Sequence, residues 1–371
     1  MATKAKSQSL QQQRVRSSLL VNGALILICL IWFVPTLGVF VTSFRNSEDI
    51  FRSGWWTIFP HQEFLKTGEI KLDASVDVDG PIQVEGVTAT FAELRDGVEL
   101  PDGRKLLWYG NKRTRQIDVQ EEKWQGFSLS LTLDNYKNTL SGKEIRYTDG
   151  SGNEIIRMGN NLSSAFLNSI AVAVPATIIP ILIAAFAAYG FAWLNFTGRK
   201  FFFVAVVALL VVPLQIALVP ILQDYTRLDL NGTYLAIWMA HTGFGLPLAV
   251  YLLFNYMSTL PREMLESAFI DGASNFTIFT QLILPLSVPA LASFAIFQFL
   301  WVWNDYLVAL VFLGDKTRVV TYALAAIVGE KGQDWHLLTS GAFISMILPL
   351  AVFFALQRFF VRGLLAGSVK G

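Results

Sequence analysis

The stretch at residues 266–285, "ESAFIDGASNFTIFTQLILP", decides how this chain is read. Its first half is polar and helix-like, it breaks at Asp271-Gly272-Ala273, and it runs into Leu284-Pro285. Long apolar runs at 233–257 and 282–313 stand on either side. Pro261 suits a first helical turn, and Glu263 there complements the helix dipole. Leu265, Ala268, Phe269 and Gly272 then recur at i, i+3, i+4 and i+7, giving one apolar stripe. Gly272 permits a turn that other residues resist, and Ser274 is placed to cap a second short helix. Such a hook can lie on a membrane surface or enter a groove on a partner. Arg262 faces Glu263, Glu266 and Asp271, so an anionic membrane surface would not attract it. Partner docking is the favoured use.

Outward from this stretch, the chain has 371 residues, 53% hydrophobic and 15% charged, where a soluble domain has about 25% charged. The charges are unevenly spread. Residues 45–160 hold 15 Lys/Arg and 19 Asp/Glu, leaving 23 charges for the other 255 residues. The composition is that of a membrane protein carrying one soluble insert. Net charge is +1, and nothing points to nucleic acid. Cys29 is the single cysteine, and His61, His241 and His336 are scattered, so no disulfide and no metal site is expected.

Six apolar runs reach the roughly 20 residues a spanning helix needs. They are 19–44, 162–196, 201–222, 233–257, 282–313 and 337–361. Prolines inside them predict kinks. Residues 1–18 read as a tail, longer and more polar than a signal-peptide n-region. Lys4, Lys6, Arg14 and Arg16 in that tail, Arg199 and Lys200 after the second run, and Arg362 and Lys370 at the end set the orientation. Both termini and the 258–281 loop are expected in the cytoplasm, with 45–160 outside. Lys316, Arg318 and Lys331 in the last external loop oppose that rule. The expected domains are therefore the tail 1–18, a first span 19–44, the insert 45–160, a core 161–361 and a C-terminal tail 362–371.

The insert reads as β-rich, with "IKLDASVDVDG", "PIQVEGVTATF" and "KLLWYG" as strand segments. Asp79-Gly80, Asp96-Gly97 and Asp102-Gly103 are the expected hairpin turns. A spacing module and a contact for a ligand carrier both remain open for it. No phosphate-cradling loop, nucleophile elbow or paired catalytic carboxylates occur, so the chain is not expected to be an enzyme by itself.

Within the fifth run, Trp301, Asn304 and Asp305 stand at i, i+3 and i+4, with Gln298 one turn earlier. Aromatic faces beside amides and a carboxylate suit a sugar, and an ionisable residue within a span usually faces a cavity or a partner. Interhelical hydrogen bonding and an interfacial aromatic belt are the competing reading. Gln215 and His241 are weaker candidates of the same kind.

The quoted stretch also resembles a family motif. Permease subunits of binding-protein-dependent ABC importers share E-A-A, three residues, G, nine residues, then I-x-L-P. Here Glu266-Ser267-Ala268, Gly272 and Leu282-Ile283-Leu284-Pro285 stand at those spacings, departing at Ser267 and Leu282. The end "RFFVRGLLAGSVKG", together with "VVPLQIALVPIL", "LTLDNYKNTL" and "FLNSI", is similar to the MalG-like carbohydrate-uptake family. "WVWNDYLVALVF" and the extra insert look most like its alpha-glucoside branch.

That resemblance implies an all-α polytopic fold of six transmembrane helices, the ABC type I importer permease fold, in the bacterial inner membrane. It implies a coupling helix containing Leu265, Glu266, Ser267, Ala268, Phe269, Asp271, Gly272, Ala273 and Pro285. Gly363, Gly367 and Lys370 would contact the ATPases. The partners implied are a second, MalF-like permease, two copies of an ABC ATPase and an external solute-binding protein. No cofactor would be bound by this chain; ATP and Mg would serve the ATPase. An ion-driven secondary transporter would instead require matched halves and buried ion ligands. A membrane-anchored receptor would not need a cytoplasmic hook.

Overall fold

A computed structural model describes residues 2–127, 131–142, 144–148, 154–159, 161–314, 317–328 and 334–366. Packing divides the chain into two units, Met1–Val41 with Glu48–Leu131, and Thr42–Ser47 with Thr132–Gly371. The division differs from the boundaries that charge density marks, because the stretch after 131 packs with the second unit.

The first unit opens with α1 (Ala2–Ser43), whose apolar part is Ser17–Ser43. Helix α2 (Ser47–Arg52) and a 3-10 turn at Trp55–Ile58 follow. Then come β1 (His61–Lys71), β2 (Ile82–Val84), β3 (Val87–Ala89), α3 (Phe91–Asp96), β4 (Val98–Glu99), β5 (Lys105–Tyr109) and β6 (Gln116–Gln125). The main sheet is antiparallel in the order β1-β6-β5-β4, with β2–β3 as a separate hairpin. Its register pairs Leu106 with Val119 and Trp108 with Ile117. Those four side chains share one face and are buried with Ile82, Val84 and Leu94. The other face is polar, with Lys66 Nζ 2.8 Å from Asp118 and 3.1 Å from Glu69.

Of the three expected hairpin turns, Asp102-Gly103 does join neighbouring strands, β4 and β5. Asp79-Gly80 lies in the loop between β1 and β2, and Asp96-Gly97 ends α3, where Gly97 adopts φ +96°. The tight turn is instead Glu85-Gly86, with φ of 48° and 80°, the left-handed pair that a two-residue hairpin loop requires. Helix α3 starts in a capping box between Thr90 and Glu93. The Thr90 amide and hydroxyl hold the Glu93 carboxyl below the ordinary carboxylate range.

The second unit contains α4 (Asp134–Ser141), a hairpin of β7 (Glu144–Thr148) and β8 (Glu154–Met158), and then helices alone. These are α5 (Leu162–Trp193), α6 (Arg199–Ala208), α7 (Leu214–Arg227), α8 (Tyr234–Met257), α9 (Arg262–Ile270), α10 (Asn275–Ile278), α11 (Leu284–Leu286), α12 (Val288–Asn304), α13 (Leu307–Phe312), α14 (Val320–Val328) and α15 (Trp335–Ala366). Asn135 on α4 donates to the carbonyls of Ser43 at 2.9 Å and Arg45 at 2.8 Å, and Thr139 meets Ser340 of α15 at 2.8 Å.

Among the described residues four uninterrupted helices are long and apolar enough to cross a membrane: Ser17–Ser43, Leu162–Trp193, Tyr234–Met257 and Trp335–Phe359. Two bent pairs complete six if each counts as one span. The third apolar run is therefore not one rod: Arg199–Val211 meets Leu214–Arg227 at 102°. Pro213 forces the residue before it out of the helical region, and Val212 is extended with ψ 116°. The fifth run bends by 70° between Asn275–Leu286 and Val288–Asn304, after a π turn at Phe279–Ile283 and between Pro285 and Pro289. It breaks again at Asp305, whose backbone is extended (ψ 131°). The Asp305 carboxylate accepts from the amides of Val308 and Ala309 at 3.3 and 3.0 Å, capping α13.

Small residues let α5 and α8 approach closely. Ala165, Ala173, Ala176, Ala184 and Ala188 on α5 are buried with Ala236, Ala240, Gly245 and Ala249 on α8. Two apolar clusters follow along these helices. One gathers the N-terminal halves of α5 and α8 with the C-terminal half of α12. The other gathers their opposite halves around α9 to α11. Between the clusters lie the buried polar residues Thr177, His241 and Gln298.

Candidate functional site

The loop between α8 and α12 forms the hook. Pro261 precedes α9, which ends in a doubly bonded left-handed turn. Gly272 has φ +81°, its amide donates to Phe269 O at 3.0 Å, and the Ala273 amide donates to Ala268 O at 3.0 Å. These are the two hydrogen bonds of a Schellman motif. Ser274 then caps α10, its hydroxyl accepting from the Thr277 amide at 3.1 Å. Among the described residues nothing lies within 4 Å of a Cβ at Gly272, so backbone conformation selects glycine there.

The stripe is divided. Leu265 is buried, and Ala268 and Ala273 pack against the apolar cluster around α9 to α11. Phe269 is 48% exposed and Ile270 is 85% exposed, so both face away from the chain, and Gly272 is exposed too. Glu266, Ser267 and Asp271 are exposed as well. Glu266 pairs with Arg262 at 2.9 Å, an exposed bond of one helical turn, and Ser267 donates to Glu263 O. Pro285 is exposed on α11. The sequence pattern missed Ile270 because it falls outside the i, i+3, i+4 series of Leu265. Its isolated apolar side chain beside Asp271 was the available signal.

The root of the hook is fixed by aromatic residues. Phe279 in the π turn packs against Phe186 and Tyr189 of α5, ring centroids 4.4 and 5.4 Å apart. Trp193 Nε1 donates to Met257 O at 3.2 Å, and the Tyr256 hydroxyl donates to Leu286 O at 3.1 Å.

The second set of candidates separates into parts. Gln298 is buried and donates to the carbonyls of Ala176 (3.1 Å) and His241 (3.3 Å), tying α12 to α5 and α8. A Cβ on Gly245 would lie 2.5 Å from Gln298 Oε1, so that glycine makes room for the amide. His241 is buried edge-on to Trp301 at 5.1 Å, with its Nε2 3.8 Å from Asp305 Oδ2. Neither ring nitrogen of His241 has a hydrogen-bond partner among the described residues. Asn304 is exposed and donates back to Leu300 O. Gln215 is exposed on α7.

Of these candidates, Trp301 lines a cavity of about 570 Å³. The rest of the wall is Leu209, Leu210, Val212, Leu214, Ile221, Asp224 and Tyr225 from the α6–α7 bend, and Met239, Ala240, Gly243, Phe244 and Pro247 from α8. Asp224 and the rings of Tyr225 and Phe244 were not singled out by the sequence, because the bend that gathers them is invisible in an apolar run. Gly363 belongs to α15, while Gly367 and Lys370 lie outside the described residues. Among the described residues no group of three His, Cys, Asp or Glu side chains could hold a metal ion.

Comparison with known proteins agrees with this architecture. The family model for the binding-protein-dependent transport system inner membrane component matches residues 164–365. The chain is 44% identical over 352 residues to the osmoprotective compounds uptake permease protein GgtD of Synechocystis, covering 94% of this chain and 91% of that one. It is also 44% identical over 386 residues to the alpha-glucoside transport system permease protein AglG of Rhizobium meliloti, covering 95% and 97%. Identity to the trehalose/maltose permease protein MalG of Thermococcus litoralis is 33% over 244 residues, 67% of this chain and 82% of that one. The hook, the bent spans and these matches lead to one assignment: the chain belongs to the family of inner-membrane permease components of binding-protein-dependent transport systems.

Proposed function

We propose that this chain is one transmembrane half of an ATP-driven ABC importer for a carbohydrate, with an oligosaccharide or alpha-glucoside as the substrate class. The observation that carries the reading is the hook: a backbone-closed turn with an apolar tip at Phe269 and Ile270, rooted in the bundle by Phe279. A groove-binding helix needs an exposed apolar anchor and a fixed base. The names of the relatives, an alpha-glucoside permease and a trehalose/maltose permease, support the sugar.

In this reading the hook faces the cytoplasm and seats in a cleft on an ATPase subunit, with Glu266 and Asp271 at its polar edge. Closure of two ATPases moves α10 to α12 and switches the cavity between inward and outward access. ATP and Mg belong to those subunits. A second permease completes the pathway, and an external solute-binding protein delivers the sugar to the side that carries residues 48–131. Trp301, Tyr225 and Phe244 offer aromatic faces to the apolar faces of a sugar ring, with Asp224 as a hydroxyl acceptor. Gln298 acts as a helix tie. Gly363, Gly367 and Lys370 are proposed contacts with the ATPases.

Gly272→Pro tests the reading, since proline cannot adopt φ +81°. Glycoside uptake and co-purification of the ATPase should both be lost while the chain still inserts in the membrane. Unchanged uptake and an unchanged ATPase pull-down would reject the hook as the coupling element.

A further inference from the structure

The first unit buries its apolar side chains in the sheet core, yet it leaves one cluster of aromatic rings in the open. Trp56 is 61% exposed and Phe127 is 68% exposed, and Phe51, Phe59 and Trp124 are exposed beside them in the chain. They gather at one end of the unit. Phe59 and Phe127 stack edge-on at 6.4 Å, and Trp55 and Trp56 do so at 6.3 Å. Trp124 stands on β6 opposite Gln62 at the start of β1, the end of the sheet that follows the 3-10 turn. Exposed aromatic patches on an otherwise polar module mark an interaction surface.

The depth of this patch is set by α1. A Cβ added to Gly38 would lie 2.6 Å from Trp55 Nε1, so the indole rests directly on the helix at that glycine. Gly38 precedes the end of the apolar segment at Ser43, which at 1.5 Å rise per residue puts Trp55 about 7 Å inside the helix end. The 3-10 turn therefore folds back beside the last turns of a membrane span. An indole near the end of a span meets the boundary between headgroups and acyl chains, where its amphipathic ring is most favourable. Trp55 thus ties the 3-10 turn to α1, and its neighbour Trp56 carries the exposed aromatic surface onward.

We infer that Phe51, Trp56, Phe59, Trp124 and Phe127 are a lipid anchor that lays the base of the β unit on the bilayer surface where α1 emerges. With the orientation proposed above, that surface is the outer leaflet, and the inference rests on that reading only for the choice of leaflet. The occupant is lipid, because the patch flanks Trp55, which rests on a helix long and apolar enough to cross a membrane. The anchor fixes the tilt of the β unit against the membrane and leaves its polar sheet face and far hairpin to solution.

The test uses the full transporter complex in nanodiscs, with Cys29→Ser as background. Trp56→Cys, Phe127→Cys and, as a distant exposed control on β2, Gln83→Cys each receive the same environment-sensitive fluorophore. Lipids carrying a nitroxide at the headgroup should quench the labels at 56 and 127 at least twofold more than the label at 83. Equal quenching at all three positions overturns the anchor, and so does selective shielding of 56 and 127 by added binding protein without quenching by lipid. A membrane-impermeant maleimide applied to intact cells carrying Gln83→Cys reads the side of the membrane separately. Failure of the orientation is thus distinguishable from failure of the anchor.

Discussion

The two halves of the α5–α8–α12 bundle are built from different materials. Around the hook, Ile278, Phe279, Ile283, Leu253, Met257 and Leu265 close into an apolar cluster, with Ser287 buried one turn after Ile283. Midway along the same helices, Thr177, His241 and Gln298 are buried where the two apolar clusters meet, and one of them, the imidazole, finds no hydrogen-bond partner among the described residues. An apolar, close-packed cluster has low compressibility and transmits displacement. The seam is held instead by the Gln298 amide, which donates to two main-chain carbonyls at 3.1 and 3.3 Å and would be left unpaired in the interior if the helices separated there. In the proposed coupling, the close-packed apolar end is the stiff lever.

The largest expected effect breaks the stiff half. Ile283 is fully buried, and Ile283→Ala should cost about 2–4 kcal/mol from lost burial and the residual cavity. Thermal unfolding of the purified complex reads the loss, and ATP hydrolysis should persist with reduced uptake. A smaller loss with full uptake would remove the stiffness argument. Next, Gly245→Val should destabilise by about 1–3 kcal/mol, because its side chain collides with the Gln298 amide. Adding Gln298→Ala should recover part of that loss, and strict additivity in the double-mutant cycle would show that the two sites do not touch.

A finer probe is His241→Leu. Removing a buried polar group that lacks a partner should leave stability within about 1 kcal/mol of the natural protein. Uptake should slow, since the imidazole edge supports Trp301 on the cavity wall. Unchanged uptake kinetics would make His241 a packing residue alone. The smallest effect belongs to the surface of the hook. Arg262 and Glu266 are both well exposed, so Arg262→Ala should shift stability by no more than about 0.5 kcal/mol.

Much of this was legible in the sequence because the bilayer demands long apolar runs, and because a glycine after a short amphipathic helix announces its turn. Gly272 and Ser274 serve as their types predict. What stayed hidden was interruption inside the runs. Pro213 and Asp305 each break a run that composition presents as continuous, and a carboxylate capping a buried helix end looks in the sequence like a ligand contact. The β unit hid a helix for the opposite reason. Thr90 and Glu93 stand at the capping-box spacing, but the alternating residues around them favour a strand reading. Gln298 left two readings open, because a lone amide in a span has the same signature whether it faces sugar or ties helices together. Only the positions of the Ala176 and His241 carbonyls separate the two.

The two hydrogen bonds that close the turn after α9 run from main chain to main chain. In the proposed coupling, docking on a preformed shape forfeits little chain entropy when an engine subunit arrives. Release is equally undemanding: the permease would keep its handle formed between encounters, ready for the next copy that diffuses along the membrane.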